Sequence, residues 1–334
     1  MEEKITMAHG SGGAAYHELV AEVFLPAFAN DMLSPLSDAA VCANSGAQLA
    51  FTTDSFVVQP RFFPGGDIGR LAVCGTVNDL AVSGATPFYL SVGMILEAGL
   101  PLSELRHITA SMAAAAREAG VTIVTGDTKV VEKGGCDGIY INTAGVGLFE
   151  RRPLAACPRA GDMILVSGGL AEHGLAVLAA RQGFDFTPPL ISDVAPLAGL
   201  AAALLAAAPL TTCLRDPTRG GLAATLHEWA EAAQATITVE EDALPLKASI
   251  SAACALLGLD PLYVANEGKL AAAIPPSQAQ AALAALKAHA LGRDAAIIGR
   301  VGERRPGMPL LLRTAYGGER IVGLPHGELL PRIC

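Results

Sequence analysis

Three aspartates stand where apolar runs end: Asp54 in Phe51-Thr52-Thr53-Asp54-Ser55, Asp79 in Val77-Asn78-Asp79-Leu80-Ala81, and Asp127 in Val124-Thr125-Gly126-Asp127-Thr128-Lys129. Asp38, in Ser37-Asp38-Ala39-Ala40-Val41, is a fourth. Carboxylates next to a core are uncommon unless they are paired or bound to a cation. A helix cap or turn explains any one of them singly. As a group, flanked by Asn78, Thr128 and Lys129, they suit Mg2+, which takes hard oxygen ligands and leaves the rest of its shell to phosphates.

Three further segments fit that chemistry. His9-Gly10-Ser11-Gly12-Gly13 is glycine-rich ahead of the first helical pattern, so its backbone amides can close over phosphates. A merely flexible terminus has the same composition, and no GxxxxGK[ST] loop occurs in the chain. Arg215-Asp216-Pro217-Thr218-Arg219-Gly220-Gly221 sets two cations and two glycines before a helix, which suits an anion site or a charged cap. Asn266-Glu267-Gly268-Lys269, between apolar runs, reads as a turn between two strands or as a place for proton transfer.

The chain ends on a thiol, in Leu330-Pro331-Arg332-Ile333-Cys334. The Pro- and Gly-rich stretch Gly323–Pro331 disfavours regular structure, and about 12 extended residues reach roughly 40 Å. Of the seven cysteines (42, 74, 136, 157, 213, 254 and 334) most lie in apolar runs and read as small buried hydrophobes, whereas the neighbours of Cys334 leave it exposed. No CxxC pair is present, so neither a disulfide framework nor a structural zinc site is expected.

The elements that position these residues alternate in period. Strand patterns cover 48–58, 86–96, 121–125 and 139–149; helical patterns cover 16–28, 67–82 and 103–119. A break at Arg151-Arg152-Pro153 and Pro158-Arg159-Ala160-Gly161 separates residues 1–150 from a second half. There, strands are expected at 163–167, 236–240, 269–274, 297–301 and 310–313, and helices at 173–182, 195–208, 222–233 and 277–290. The expectation is two α/β or α+β domains, 1–150 and 151–320, and a mobile tail over 321–334. With 51% apolar and 16% charged residues the chain is globular, and a net charge of −9 disfavours nucleic acid. No apolar run is long enough to span a bilayer, and the acidic start Met1-Glu2-Glu3-Lys4 lacks a signal-peptide h-region, so a cytoplasmic location is expected.

HGSGG, TDS, NDLAVSGA, GDTKVV, RDPTRGG, ANEGKL and the terminal PRIC, which run from residue 9 to residue 334, resemble the HypE family of carbamoyl dehydratases. That family of hydrogenase maturation factors is related to aminoimidazole ribonucleotide synthetase, selenophosphate synthetase and thiamin monophosphate kinase. The resemblance implies a PurM-like fold of two α/β domains with a flexible tail, a homodimer, and ATP near the dimer interface. ATP would be bound through His9, Gly12, Gly13, Asn78, Asp79, Gly126, Asp127, Thr128 and Arg219. Mg2+ would sit on Asp54, Asp79 and Asp127, with Asp38 as a further candidate. The resemblance also implies that a carbamoyltransferase, HypF, loads a carbamoyl group on Cys334 and that ATP drives its dehydration to S-cyanate. The cyanide then passes to a HypC–HypD complex for nickel–iron hydrogenase assembly. Nothing carries over to Asp185–Pro209, which holds no motif.

In the expected mechanism the amide oxygen of S-carbamoyl-Cys334 attacks the γ-phosphate, and collapse of the O-phosphorylated imidate gives the nitrile. Glu267 is the expected base and Lys129 the expected source of charge stabilisation or proton transfer. Another ATP-dependent phosphorylation, such as selenophosphate synthesis, is the alternative. That class carries a reactive residue near its glycine-rich segment, and here the first cysteine is Cys42. A non-catalytic protein with an anchoring tail leaves the aspartates unexplained.

Overall fold

A computed structural model describes residues 13–19, 21, 36, 40–44, 47–324, 330 and 332–334. The chain opens with α1 (Ala14–Leu19), then β1 (Ala40–Asn44), β2 (Ala47–Phe56) and the short strands β3 (Phe62–Phe63) and β4 (Gly66–Asp67). Helix α2 (Ile68–Val82), strand β5 (Thr86–Glu97), helix α3 (Leu102–Ala119), and strands β6 (Thr122–Val131) and β7 (Ile139–Leu148) complete the first half. Its sheet runs β1-β2-β7-β5-β6, antiparallel except for the β5–β6 pair, which α3 connects.

Asp67 starts α2 by accepting N–H bonds from Gly69 (2.7 Å) and Arg70 (3.0 Å), which satisfies amides that have no partner within the helix. Every residue of α2 except Arg70 and Asp79 is buried. A helix apolar nearly all round must be enclosed, and α2 is: it packs on β2, β7 and α3. Helix α3 is amphipathic, burying Ile108, Met112, Ala115 and Ala116.

The second half contains β8 (Met163–Val166), α4 (Glu172–Gln182), α5 (Ala198–Ala207), β9 (Cys213–Arg215), α6 (Gly221–Ala232) and β10 (Thr236–Glu240). It continues with α7 (Ala248–Leu257), β11 (Ala271–Ile274), α8 (Pro276–Ala288), β12 (Ala296–Gly302), β13 (Leu310–Arg313) and β14 (Glu319–Ile321). Its sheet runs β14-β13-β10-β12-β8-β11-β9, with only β10–β13 parallel. The two halves share a core: Phe56, Ile68, Leu71 and Ile141 of the first cluster with Val177, Val194, Ala265 and the tail residue Ile333. Among the described residues no helix is long and apolar enough to cross a membrane.

Several sequence expectations need correction. The strand expected at 121–125 runs to Val131, because β6 stays paired with β5 through Leu96–Val130 and Glu97–Val131. The helix expected from 195 starts at Ala198, because 192–197 is occupied with long-range hydrogen bonds. The Asn266 loop does not join two strands: a 3-10 turn, Pro261–Tyr263, precedes it, with Asp260 accepting Leu262 N–H at 3.0 Å. Most of the helix expected over 16–28 lies outside the described residues.

Candidate active site

The last three residues are docked, with Ile333 buried and Arg332 and Cys334 half-buried, where the sequence leaves Cys334 exposed. Residues 332–334 lie antiparallel to 57–59, the segment that follows β2: Val57 N donates to Cys334 O (3.1 Å) and Gln59 N to Arg332 O (3.1 Å). From α4, Arg181 donates to Arg332 O through Nη2 (2.6 Å) and to Gln59 O through Nε (2.7 Å), clamping both segments. His173, fully buried near the start of α4, lies with Nε2 2.6 Å from Ile333 O and Nδ1 2.8 Å from Ser192 Oγ. A carbonyl only accepts, so Nε2 carries the proton and Nδ1 accepts from the serine. Burial pulls the His173 pKa down, in keeping with that neutral tautomer.

The docked thiol faces an acidic environment. Burial pushes Cys334 up to about 12; Arg219 opposes this, while Glu267 and Asp54 add to it. The bound thiol is therefore protonated at neutral pH, which suits a carried group better than a nucleophile. Glu267 is buried, and its Oε1 has no hydrogen-bond partner among the described residues. Burial first, then Asp216, Asp54 and Asp193, hold its carboxyl well above the ordinary carboxylate range, with Arg219 as the opposing cation. Asp54 is likewise raised by burial and lowered by Arg219.

The loop that carries Glu267 is fixed from several sides. Asp193 accepts the N–H groups of Glu267 and Gly268, both at 3.2 Å, and pairs with Lys269 Nζ at 3.2 Å. Lys269 also reaches Glu172 (3.1 Å), which pairs in turn with Lys247. Asn78 donates to Glu267 O (3.2 Å) and Ala195 O (3.1 Å) and accepts from Leu197 N (2.7 Å). Asn266 accepts from Ala171 N (2.8 Å) and donates to Pro217 O (2.9 Å), tying the loop to the RDPTRGG segment. That segment enters α6 through Gly221 at φ 62°, where a Cβ would lie 2.5 Å from Leu262 O. Only glycine satisfies both the left-handed backbone and that approach.

The structure thus brings together Cys334, Glu267, Asp54, Arg219 and Asn78. Asp79 lies on the same side of the first sheet: its Oδ2 accepts Thr52 Oγ1 at 2.9 Å, and Thr52 and Asp54 share a face of β2. Gly126, Asp127, Thr128 and Lys129 do not join them. The register across β2, β7, β5 and β6 aligns Asp54 with Thr143, Val92 and Gly126, and aligns Ser55 with Asn142, Gly93 and Asp127. Asp127 therefore faces away from Asp54, three strand spacings or about 14 Å off. On that exposed side Lys129 Nζ binds both Asp127 oxygens, at 2.9 and 2.7 Å, and holds that carboxyl below its ordinary value.

Among the described residues no three His, Cys, Asp or Glu side chains converge as a metal site, so the Asp54–Asp79–Asp127 set is not assembled within them. Asp54 and Asp79 alone still fit Mg2+, which commonly takes one or two carboxylates and completes its shell with phosphate oxygens and water. His9, Gly12 and Asp38 lie outside the described residues. Gly13 is buried at the start of α1, where His17 pairs with Glu228 of α6 (3.3 Å) and Glu228 with Arg215 (2.9 Å). The end of the glycine-rich stretch thus adjoins the RDPTRGG segment.

Residues 36–149 match the AIR synthase related protein, N-terminal domain, and 159–308 its C-terminal domain. The chain is 49% identical to the carbamoyl dehydratase HypE of Rhodobacter capsulatus, over 100% of this chain and 99% of that one. This chain belongs to the HypE family of carbamoyl dehydratases. Its two-domain α/β fold is the PurM-like one. A HypE structure in complex with ATP superposes with TM-score 0.83 at 47% identity, covering 99% of this chain and 100% of that one. A HypE–HypF complex gives TM-score 0.87 at 45% identity, covering 92% and 99%.

Sequence reasoning missed Asp193, His173, Arg181 and Glu172 as parts of this HypE-family site. One signal for Asp193 was available: Ser192-Asp193 is a polar pair between Leu190-Ile191 and Val194-Ala195. His173 and Arg181 sit in a largely apolar helix, where nothing local separates a tail clamp from a core residue.

Proposed function

We propose that this chain dehydrates an S-carbamoyl group on its own Cys334 to S-cyanate at the expense of ATP, supplying the cyanide ligand for nickel–iron hydrogenase assembly. The observation that carries the reading is the docking of residues 332–334 along 57–59, which places the Cys334 thiol within the field of the buried Glu267 carboxyl. The carboxamide oxygen bonds to the γ-phosphorus as the bond to ADP breaks. Loss of the nitrogen's protons and of the phosphate from carbon then leaves S–C≡N, ADP and phosphate. Glu267 takes a proton from nitrogen; a carboxylate whose pKa is shifted upward is a stronger base than an ordinary glutamate. Arg219 supplies a positive charge beside the site. Asp54 and Asp79 would hold Mg2+, which would supply positive charge to the transferred phosphoryl group. The docked end, with Ile333 buried and Arg332 and Cys334 half-buried, limits the access of water that would hydrolyse the phosphorylated imidate.

The cytoplasmic partners in this reading are the carbamoyltransferase HypF as donor, the HypC–HypD complex as acceptor, and a second copy of the chain. The homodimer is supported by the outer face of the first sheet, where exposed Phe51, Tyr89, Ile95 and Leu148 lie beside Asp127 and Lys129. Covering that face gives Asp127 and Lys129 a route to the nucleotide that one protomer lacks. Residues 1–150 form the nucleotide and dimerisation half, 151–320 the second half, and 321–334 the carrier tail.

The test is intact mass after incubation with HypF, carbamoyl phosphate and ATP. Gain of a carbamoyl group followed by loss of one water, abolished in Cys334→Ala, is the expected result. ATP hydrolysis with no change on the tail sinks the proposal.

A further inference from the structure

The bonds to the carbonyls of Arg332, Ile333 and Cys334 would hold many sequences. The charged side chain of the docked end, Arg332, is read separately. Its Nη1 lies 2.5 Å from Asp137 Oδ2, its Nε donates to Val57 O at 3.0 Å, and its guanidinium carbon is 6.0 Å from the centre of the Tyr140 ring. Tyr140 Oη donates to Asp137 Oδ2 at 2.9 Å and so orients the carboxylate. Arg332 itself has φ 50°, a left-handed conformation disfavoured for any residue with a Cβ. The tail thus bends at Arg332, and the side-chain contacts offset that strain.

The receiving surface is built without the tail. Asp137 sits in the turn between β6 and β7, and Glu97 holds that turn by accepting Gly134 N (2.6 Å) and Gly138 N (2.8 Å). Arg61 donates to Asp137 O at 3.2 Å and is anchored by Glu104 at 2.8 Å. Tyr140 and Arg332 both hold the Asp137 carboxyl below its ordinary value, so it is ionised at neutral pH.

We propose that Asp137 and Tyr140 form a recognition cradle for Arg332 that sets the docked fraction of the tail, and thereby divides Cys334 between its own active site and the carbamoyltransferase. Asp137 and Tyr140 are positioning residues: they touch neither the thiol nor Glu267, and act through Arg332. The inference rests on the carrier reading above. It adds that two residues outside the Cys334–Glu267 cluster control access to it.

With its carbonyl bonded to Val57 N and the neighbouring Ile333 buried, the docked thiol is shielded relative to a free tail, so iodoacetamide labelling of Cys334 reports the undocked fraction. Labelling of the full-length chain is followed at Cys334 by peptide mass, in wild type, Asp137→Asn, Arg332→Gln and the double variant. Each single variant raises the labelling rate about three- to fivefold, the range for a half-exposed ion pair, and the double variant raises it no further. Asp137→Glu restores slow labelling. Dehydration of a pre-carbamoylated tail falls by a smaller factor, because it follows the docked fraction, and carbamoylation is not slowed in Asp137→Asn. Wild-type labelling in both single variants, or multiplying effects in the double, overturns the cradle. Arg332→Gln leaves the Asp137 turn intact, so misfolding of Asp137→Asn does not shield the idea. If the wild-type tail is never dehydrated, the carrier reading fails, while the labelling comparison still decides the cradle.

Discussion

Replacing Gly268 by alanine tests whether the Glu267 loop must sit where Asp193 holds it. A Cβ there would lie 1.8 Å from Asp193 O and 2.8 Å from Asp193 C, backbone atoms that no rotamer change moves aside. Ordinary contact begins near 3.4 Å, so the loop and the 192–195 segment must part by about 1.6 Å. The Asp193 bonds to Glu267 N and Gly268 N are already 3.2 Å long and do not survive that movement. Two hydrogen bonds to a charged acceptor at about 1.5–3 kcal/mol each give a loss of about 3–6 kcal/mol, before relaxation. Displacing Glu267 by more than 1 Å also slows chemistry by about a hundredfold or more. The assay is single-turnover dehydration of the carbamoylated tail by intact mass, with Tm measured in parallel. Gly302→Ala is the control, since its Cβ would find nothing nearer than 3.6 Å. Wild-type dehydration in Gly268→Ala refutes the argument. If that variant does not fold, Asp193→Asn, which keeps the shape and loses the charge, should still slow dehydration about tenfold.

Glu267→Gln should stall the carbamoylated tail, slowing dehydration at least about a hundredfold. It should also change the pH dependence of stability. A carboxyl raised in the folded state contributes stability fully present below its unfolded pKa of about 4.3 and lost as pH rises through the folded value. Glutamine cannot ionise, so the variant's Tm should gain on wild type as pH rises from about 4; a difference constant with pH contradicts the assignment. His173→Phe keeps the ring volume and the edge contact with Phe63, 5.3 Å between centroids, but loses the bonds to Ile333 O and Ser192. An unpaired buried carbonyl costs about 1–3 kcal/mol, so Cys334 alkylation should rise roughly five- to a hundredfold. Unchanged labelling would show that His173 does not hold the tail.

The aspartates, the Glu267 loop and the terminal cysteine were legible because each is a polar residue where the local pattern calls for apolar or indifferent ones. Geometry was less legible. That Asp127 and Asp54 face opposite sides of one sheet follows only from a register counted across four strands, including the bulges between Pro87 and Tyr89 and between Leu90 and Ser91. The docking of residues 332–334 is made by hydrogen-bond partners 150 or more residues away, namely Val57, His173 and Arg181. Nothing in the tail's own composition signals it. Asp193 escaped for the same reason: its work is done on residues 74 and 75 positions further along the chain.

The tail's pairing with residues 57–59 also fixes what kind of kinetics the protein can show. A reacting group borne on the chain has no solution concentration, so dilution does not slow its encounter with the site. Its arrival is governed by an effective molarity, set by tail length and docking strength. Saturation then applies to nucleotide and partner proteins, and the carboxamide itself has no KM. A small free thiocarbamate would have to compete with a neighbour that never diffuses away.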